Sequence, residues 1–172
     1  IISSSITWAV GNSPYTVTDH IIINEGVTLT IDPGVEIKFN EGKIIEVYGS
    51  IIAEGDESNP ITFTSNSDNP TAGDWGYIEL MQSSETTVIG EDGSYVSGPK
   101  FKYCIIEYAG YFSSKLFIIN ANYIDHCILR NHNINNSSGT VITSFSSWAT
   151  SANVEGSRSI ITNNQIYDNP NT

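Results

Sequence analysis

Short apolar runs, each cut off by turn residues, follow one another without a break from Gly26 to Ser65. The segment reads GVTLTIDPGVEIKFNEGKIIEVYGSIIAEGDESNPITFTS, and its Val, Ile, Thr and Phe runs are separated by Pro, Gly, Asp and Asn. No interval between the runs is long enough for a helix. A chain that turns after every few residues and stacks on itself is predicted to form a solenoid of short strands.

The runs have the periodicity of strands with one buried face. In Val27–Ile31 and Val35–Phe39, apolar residues alternate with Thr, Glu or Lys. The runs Val27–Ile31, Ile44–Tyr48 and Ile61–Ser65 recur every 17 residues, and Ser50–Glu54 follows Val35–Phe39 at an offset of 15. We interpret these intervals as two interleaved series of strands that stack in a coil with more than one face per turn.

Three later segments, FKYCIIE, YIDHCILR and ITNNQIYDN, are copies of one strand. Their alignment places Cys104, Cys127 and Asn164 in one column and Ile106, Leu129 and Ile166 in another. The longer gap before the third copy is interpreted as an insertion at residues 144–151.

One domain is predicted over residues 1–172. It consists of an N-terminal lead-in or cap at 1–20, first rungs at 21–87, an acidic Gly-rich loop at 88–99, and later rungs with an open C-terminal end at 100–172. A rung of about 22 residues predicts about seven to eight rungs.

Four segments resemble rungs of pectate-lyase-like β-solenoid proteins: GVTLTIDPGVEIKF, IEVYGSIIAEGDESNPITFTS, GDWGYIEL and FKYCIIEYAG. The resemblance implies an all-β fold, a single right-handed parallel β-helix, and an extracellular or cell-surface setting. It implies no particular reaction, because similar rungs occur in polysaccharide-active enzymes, adhesins and structural surface proteins.

The composition limits the classes of partner that the chain can bind and the setting in which it is expected. The net charge is -12, Lys and Arg total seven, and sixteen of the nineteen acidic residues precede Ala109, which argues against nucleic acid. No apolar run is long enough for a membrane-spanning helix, so membrane insertion is not expected. Few lysines and many Thr, Ser and Asn residues favour a secreted protein, and two overlapping glycosylation sequons begin at Asn135 and Asn136.

The two cysteines allow three interpretations. Stacked Cys104 and Cys127 can be a buried reduced ladder, a disulfide strained by parallel side chains, or a catalytic or metal-binding pair. His126 adjoins Cys127 and is predicted to point to the opposite face, away from the thiol. His20, His126 and His132 have no metal-ligand spacing with the cysteines and are predicted at surface or turn positions.

Carboxylates are the main candidates for chemistry. Glu36, Glu46, Glu79 and Glu107 fall on strands and could align across rungs, but no basic constellation of a lyase accompanies them. We therefore assign no catalytic or cofactor-binding residue. Weak Ca²⁺ candidates are Asp56, Glu57 and Asp74, for which turn chemistry is the alternative. Candidate glycan contacts are Trp75, Tyr77 and Glu79.

Turn chemistry gives the clearest assignments. Gly26, Pro33, Gly34 and Gly49 are predicted to form the corners between strands, because Gly reaches backbone angles that other residues avoid and Pro fixes its own.

The sequence favours a non-enzymatic extracellular structural protein that associates with its own copies head to tail through open ends of the β-helix. The residues expected at these ends are Ile1, Ile2, Ile6, Trp8, Asn164, Ile166 and Tyr167. The alternatives are a module that binds or cleaves carbohydrate, with surface glycans as partners, and the N-terminal scaffold of a larger adhesin.

Overall fold

The chain is a parallel β-helix built from three sheets. The computed structural model describes residues 1–81, 83–111, 118–119, 123–132, 160–162 and 164–167, with the backbone alone at 118–119, 160–162 and 166–167. All pairings within the three sheets are parallel. No α-helix occurs in the described residues, and consequently none that could cross a membrane.

Each of the sheets takes one strand from each turn of the coil. Sheet 1 contains β1 (Ile6–Trp8), β4 (Thr28–Ile31), β7 (Ser50–Glu54), β12 (Lys100–Lys102), β15 (Tyr123–Asp125) and β17 (Ile160–Thr162). Sheet 2 contains β2 (Tyr15–Val17), β5 (Glu36–Phe39), β8 (Ile61–Ser65), β13 (Cys104–Glu107), β16 (Ile128–Arg130) and β18 (Gln165–Tyr167). Sheet 3 contains β3 (Ile21–Ile23), β6 (Ile45–Val47), β9 (Ile78–Leu80) and β14 (Ile118–Ile119).

The predicted strands lie where expected, but the predicted stacking intervals are wrong. Leu29 pairs with Ile51, whereas Ile37 pairs with Phe63. Neither interval is 15 or 17 residues. Runs at those spacings belong to different sheets, because one turn carries three strands and the chain returns to a sheet only after all three.

The number of turns is also smaller than the predicted seven to eight. Sheets 1 and 2 each have six strands, and the described chain makes about five turns between its first and last levels. Two long connections account for the difference. Phe101 pairs with Ala53 and Ile161 pairs with Ile124, so intervals of 48 and 37 residues each add only one level to sheet 1.

The first long connection contains an antiparallel hairpin outside the coil. Its strands are β10 (Val88–Ile89) and β11 (Tyr95–Ser97), within the segment predicted as an acidic Gly-rich loop. Asp92 stabilises the tip by accepting hydrogen bonds from the amide and hydroxyl of Ser94, which lower the pKa of its carboxyl. The insertion predicted at 144–151 lies outside the described residues.

The core is a column of inward-facing apolar side chains from all three sheets. Sheet strands alternate buried and partly exposed residues, which confirms the one-sided pattern expected for β4 and β5. Phe39 and Trp75 stack in this core with ring centroids 4.1 Å apart. Burying this apolar surface is the main stabilising contribution to a fold whose short strands would be unstable alone.

The predicted copies stack in register. Ile106 pairs with Leu129, and Leu129 pairs with Ile166. Asn164 follows Cys127 in the other column: its side-chain oxygen accepts the amide of Cys127 at 2.8 Å, and its Nδ2 donates to the carbonyl of Ile124 at 2.9 Å. The asparagine amide thus hydrogen-bonds the backbone of the turn beneath it.

Candidate functional site

The predicted corner residues occupy corners for two different reasons. Gly26 and Gly34 have φ of 71° and 80°, the left-handed conformation expected of glycine, and Pro33 precedes Gly34 in its turn. At Gly49 the constraint is space, since an added Cβ would lie 2.1 Å from the carbonyl oxygen of Val27. Gly49 therefore allows two backbone segments to approach closely.

The predicted glycan-stacking surface is absent. Trp75 has no exposed surface and Tyr77 is 6% exposed, so neither ring can cover a sugar from solvent. The indole Nε1 of Trp75 donates instead to the carbonyl of Glu107 at 2.7 Å. The prediction of sugar stacking is wrong at these two positions because the aromatic groups complete the core.

The four strand glutamates do not form one row. Glu46 pairs in register with Glu79 on sheet 3, with both side chains half-buried. Glu36 and Glu107 are on sheet 2 but in different columns, since Glu36 pairs with Thr62 and Glu107 pairs with Arg130. The structure therefore brings only Glu46 and Glu79 into adjacent positions.

Glu107 connects three successive turns. Its carboxylate accepts the hydroxyl of Thr64 at 2.9 Å and Nε of Arg130 at 2.7 Å. The carboxylate is largely buried, and burying it unpaired would be costly. The geometry therefore gives Glu107 a bracing role between neighbouring turns.

A second charged cluster lies on sheet 1 beneath the hairpin. Nζ of Lys100 is 2.6 Å from Glu54 and 3.9 Å from the centroid of the Tyr95 ring, and Tyr95 packs edge-on against Tyr123. Burial raises the pKa of Tyr95 and Tyr123, and the charge of Glu54 adds to the effect. This cluster attaches the hairpin to the coil.

Two of the three Ca²⁺ candidates, Asp56 and Asp74, form the hydrogen bonds of loops. The carboxylate of Asp56 accepts the amides of Ser58 and Asn59 at 2.8 Å, and the side chain of Asn59 also bonds it and lowers its pKa. Glu57 follows in the same exposed loop. Among the described residues, no group of three or more His, Cys, Asp or Glu side chains could hold a metal ion.

Asp74 holds a different loop together. It accepts hydrogen bonds from the hydroxyls of Ser65 and Thr71, each at 2.6 Å. Partial burial would raise the pKa of Asp74, but these hydrogen bonds outweigh burial and lower it. Asp74 thereby shapes one wall of a cleft.

This cleft, which we call the polar cleft, was not predicted. It has a volume of about 450 Å³ and is lined by polar side chains with one exposed aromatic ring, that of Tyr111. Two of its lining residues, Asn66 and Asn40, belong to neighbouring turns, and Asn66 donates to Asn40 at 2.8 Å. The only sequence signal for the polar cleft is that Asn40 and Asn66, which each follow a strand of sheet 2, are 26 residues apart. This interval becomes informative only once β5 and β8 are known to stack with the same spacing.

The histidines occupy different environments. His126 is exposed in a left-handed turn with φ of 53° and contacts Asp125 through Nδ1 at 2.9 Å. His132, by contrast, is fully buried two residues after β16 ends, so it lies beside a strand end, as a turn residue would, but not at the surface. Its Nδ1 accepts the amide of Ala109 at 3.1 Å, and burial lowers the pKa of the imidazole to about 3.

The two cysteines are buried and free, and they occupy equivalent positions in adjacent turns. Sγ of Cys104 lies 3.5 Å from the carbonyl oxygen of Lys102, and Sγ of Cys127 lies 3.4 Å from that of Asp125. Burial raises the pKa of the Cys104 thiol, and its interaction with Cys127 raises it further. A buried thiol with a raised pKa is a poor nucleophile at neutral pH.

The first turn presents apolar residues at one end of the coil. The strands β1, β2 and β3 are outermost in their sheets, and Ile2 forms one bridge to Ile23 at the edge of sheet 3. Ile1 and Ile6 are 83% and 48% exposed. With Ile2, Trp8 and Ile21 they line a hollow of about 270 Å³, which we call the N-terminal hollow.

At the other end, β18 is outermost in sheet 2 and includes the backbone of Ile166 and Tyr167. Their side chains lie outside the described part of the structure, as do the sequons at Asn135 and Asn136.

Comparison with known proteins agrees with the architecture. No curated protein and no solved structure matches the chain. A family model described as a pectate-lyase-like beta helix domain matches residues 1–120, which include the first three turns, the hairpin and the strands β12 and β13. The chain therefore belongs to the family of pectate-lyase-like β-helix domains.

Proposed function

We propose that this β-helix is a non-enzymatic structural module of an extracellular surface protein, and that copies associate end to end through the first turn. The main observation in support is the exposed apolar surface at the N-terminal hollow, beside the outermost strand β1. An unpaired strand edge can extend a sheet with another chain, and apolar burial stabilises the contact. Contacts between unlike ends propagate into a filament when they do not close a ring.

The carboxylates support a structural role. Glu107 and Glu54 each form an ion pair to a basic residue on the next turn of their sheet, Arg130 and Lys100 respectively. In these positions the charges hold neighbouring turns in register. An extracellular setting agrees with the acidic, lysine-poor composition and with the family.

Association is tested by sedimentation velocity of the chain over a concentration series, compared with Ile6→Lys. A lysine at this half-exposed site leaves the fold intact but places a charge in the proposed contact, so we expect at least about tenfold weaker association. Val96→Lys on the hairpin is the matched control, because Val96 is 59% exposed and lies away from the hollow. Equal behaviour of both variants would contradict the proposed contact.

The proposal that the module has no enzymatic activity is tested separately. Purified protein is incubated with pectic, uronic and neutral polysaccharides, and release of unsaturated products or new reducing ends is followed. We expect no release above a heat-inactivated control. Turnover that is lost in Glu46→Gln or Glu79→Gln would overturn this part and assign catalysis to the adjacent carboxylates.

A second candidate function, glycan binding, is favoured by the polar cleft. Its size, its stacked asparagine amides and the exposed ring of Tyr111 suit a saccharide, which needs both hydrogen-bond partners and an apolar face. Isothermal titration with glycans that bind on an array tests this. Tyr111→Ala is expected to weaken binding at least about tenfold, while Tyr48→Ala, directly after β6 and outside the lining of the cleft, leaves it unchanged. Equal affinities of Tyr111→Ala and the unmodified protein would exclude the polar cleft as the glycan-binding site.

A further inference from the structure

We propose that a groove at the corner between sheets 1 and 2 is a docking site for an arginine side chain of a partner protein. This groove, which we call the corner groove, has a volume of about 230 Å³. Pockets for drug-sized ligands measure roughly 300–1,000 Å³, so the corner groove suits a single side chain better. Cys104 and Cys127 lie beneath its lining at 1% and 0% exposure and take no part in the proposed contact.

A change in the length of the corner creates the groove. Between β7 and β8 the chain passes from sheet 1 to sheet 2 through the loop Gly55–Pro60. In the next two turns the same corner is made by Tyr103 alone and then by His126 and Cys127. Tyr103 and His126 bend the chain sharply in left-handed conformations, with φ of 48° and 53°. The longer loop therefore stands out beside the short corners and forms one wall of the corner groove.

Part of the lining is apolar although it faces outward. Ile105 and Ile128 pair in register on sheet 2, line the corner groove, and are partly exposed. They interrupt a polar outward column, in which Glu36 and Thr62 precede them and Gln165 follows. Such an apolar strip suits the methylene stem of a long basic side chain.

Two stacked rings form another part of the lining. The rings of Tyr103 and His126 have centroids 4.7 Å apart and planes inclined by 28°. His126 is the more exposed of the two, and its Nδ1 lies 2.9 Å from Oδ1 of Asp125, which orients the imidazole. A flat ring next to a carboxylate is a surface on which a planar guanidinium stacks.

The charge at the rim favours a cation. The carboxylates of Asp56 and Glu57 are exposed at the corner groove. Hydrogen bonds, chiefly from the side chain of Asn59, lower the pKa of Asp56, which therefore stays ionised at neutral pH. No Lys or Arg is among the described residues that line the groove, and the nearby ammonium of Lys102 lies 4.0 Å from Glu54 on sheet 1.

Arginine matches all three parts of this lining. Its stem is apolar, its guanidinium is flat and always charged, and its paired N–H groups fit a carboxylate. Lysine lacks the flat cation and the paired donors. We therefore expect the corner groove to prefer arginine over lysine.

The test is a titration of the protein, labelled with ¹³C in its isoleucine methyl groups, with N-acetyl-arginine methylamide. NMR spectra are recorded at pH 8, where histidine is uncharged, and in about 0.15 M NaCl, which screens long-range attraction. We expect saturable shifts of the methyl groups of Ile105 and Ile128, with none at Ile22, which is partly exposed on sheet 3. Equal shifts at Ile22, or shifts that do not saturate, would overturn the proposal.

Two analogues test which property of arginine is recognised. The citrulline derivative has nearly the same shape without the charge and should bind at least about fivefold more weakly, and the lysine derivative about two- to fivefold more weakly. Equal affinity of either analogue would contradict the assignment to arginine.

A blocked peptide, Gly-Ser-Arg-Ser-Gly, tests whether the occupant belongs to a protein chain. It should bind at least as tightly as the single-residue derivative, because only the side chain enters the groove. Loss of binding in this longer chain would assign the groove to a free amino acid and overturn docking of a partner protein.

Variants of the groove give the final test. Glu57→Gln should weaken binding of the arginine derivative about two- to fivefold. His126→Asn should do the same, because asparagine tolerates the left-handed turn but lacks the ring. Glu25→Gln is the matched control, since it removes the same charge from an exposed turn outside the groove and should leave the Kd unchanged. Equal effects of Glu57→Gln and Glu25→Gln would reduce the binding to attraction by net charge and overturn the proposal.

Discussion

Gly49 lies where β6 ends and β7 begins, and its environment allows a sharp prediction. We expect Gly49→Ala to destabilise the protein by about 3 kcal/mol, because the new methyl group would overlap the backbone oxygens of Val27 and Asn24, which cannot move aside as a flexible side chain can. Urea unfolding measures the change. Gly11→Ala is the matched control, since nothing lies within 4 Å of its added Cβ, and equal losses in both variants would contradict the close approach.

His132 predicts a specific dependence of stability on pH. Burial lowers its pKa from the ordinary value of 6.5 to about 3, so below pH 6.5 the unfolded chain binds a proton that the folded chain does not. This contribution is fully present above pH 6.5 and is lost as the pH falls toward about 3.

His132→Asn keeps an acceptor for the amide of Ala109 and removes the titration. Between pH 7 and about pH 4.5, the free energy of unfolding of the unmodified protein should fall by about 2 kcal/mol more than that of the variant. Urea titrations at the two pH values measure this difference. If the unmodified protein and His132→Asn lose the same free energy of unfolding, groups other than His132 cause the acid sensitivity.

Individual residues were predictable to different degrees. Cys104 and Cys127 could be aligned because their neighbours repeat at the same spacing in the sequence. Trp75 could not be placed, because its stacking partner Phe39 and its acceptor Glu107 are more than 30 residues away in sequence. A separation of 26 residues likewise hid the contact between Asn40 and Asn66 in the polar cleft, so the sequence revealed turn chemistry much better than the candidate site.

At the scale of elements, the hairpin formed by β10 and β11 depends on Lys100. Lys100→Met should cost about 1–2 kcal/mol in stability, because it preserves much of the buried volume but removes an ion pair with the half-exposed carboxylate of Glu54 and a contact with the Tyr95 ring. Hydrogen exchange should accelerate in residues 88–97 more than in β13. Uniform acceleration would indicate that the hairpin is held by other contacts.

Strand positions were predictable because alternation and turn residues are local signals. β7 and β8 have the predicted bounds, and β4, β5 and β6 differ at their ends by one residue. Stacking was not predictable from the same signals, because connections between strands vary in length and the hairpin interrupts the period. Only the repeated segments around Cys104 and Cys127 carried register information, and there the predicted pairing is confirmed.

At the scale of the whole molecule, net charge opposes the proposed association. A net charge of -12 makes copies repel one another, while five of the seven residues that line the N-terminal hollow are apolar and none has a charged side chain. Raising NaCl from about 0.02 M to about 0.5 M should therefore strengthen association, because salt shortens the range of repulsion from about 20 Å to about 4 Å. Sedimentation measures the effect. Weaker association in high salt would indicate a contact made by opposite charges instead.

Electron microscopy with fibre diffraction of the concentrated protein at neutral pH tests end-to-end association most directly. Six levels of strands about 4.8 Å apart predict unbranched fibres with an axial repeat near about 30 Å and a reflection at about 4.8 Å along the fibre axis. Ile6→Lys should abolish the fibres, and Val96→Lys should retain them. Dispersed single particles at every concentration would contradict the proposed assembly.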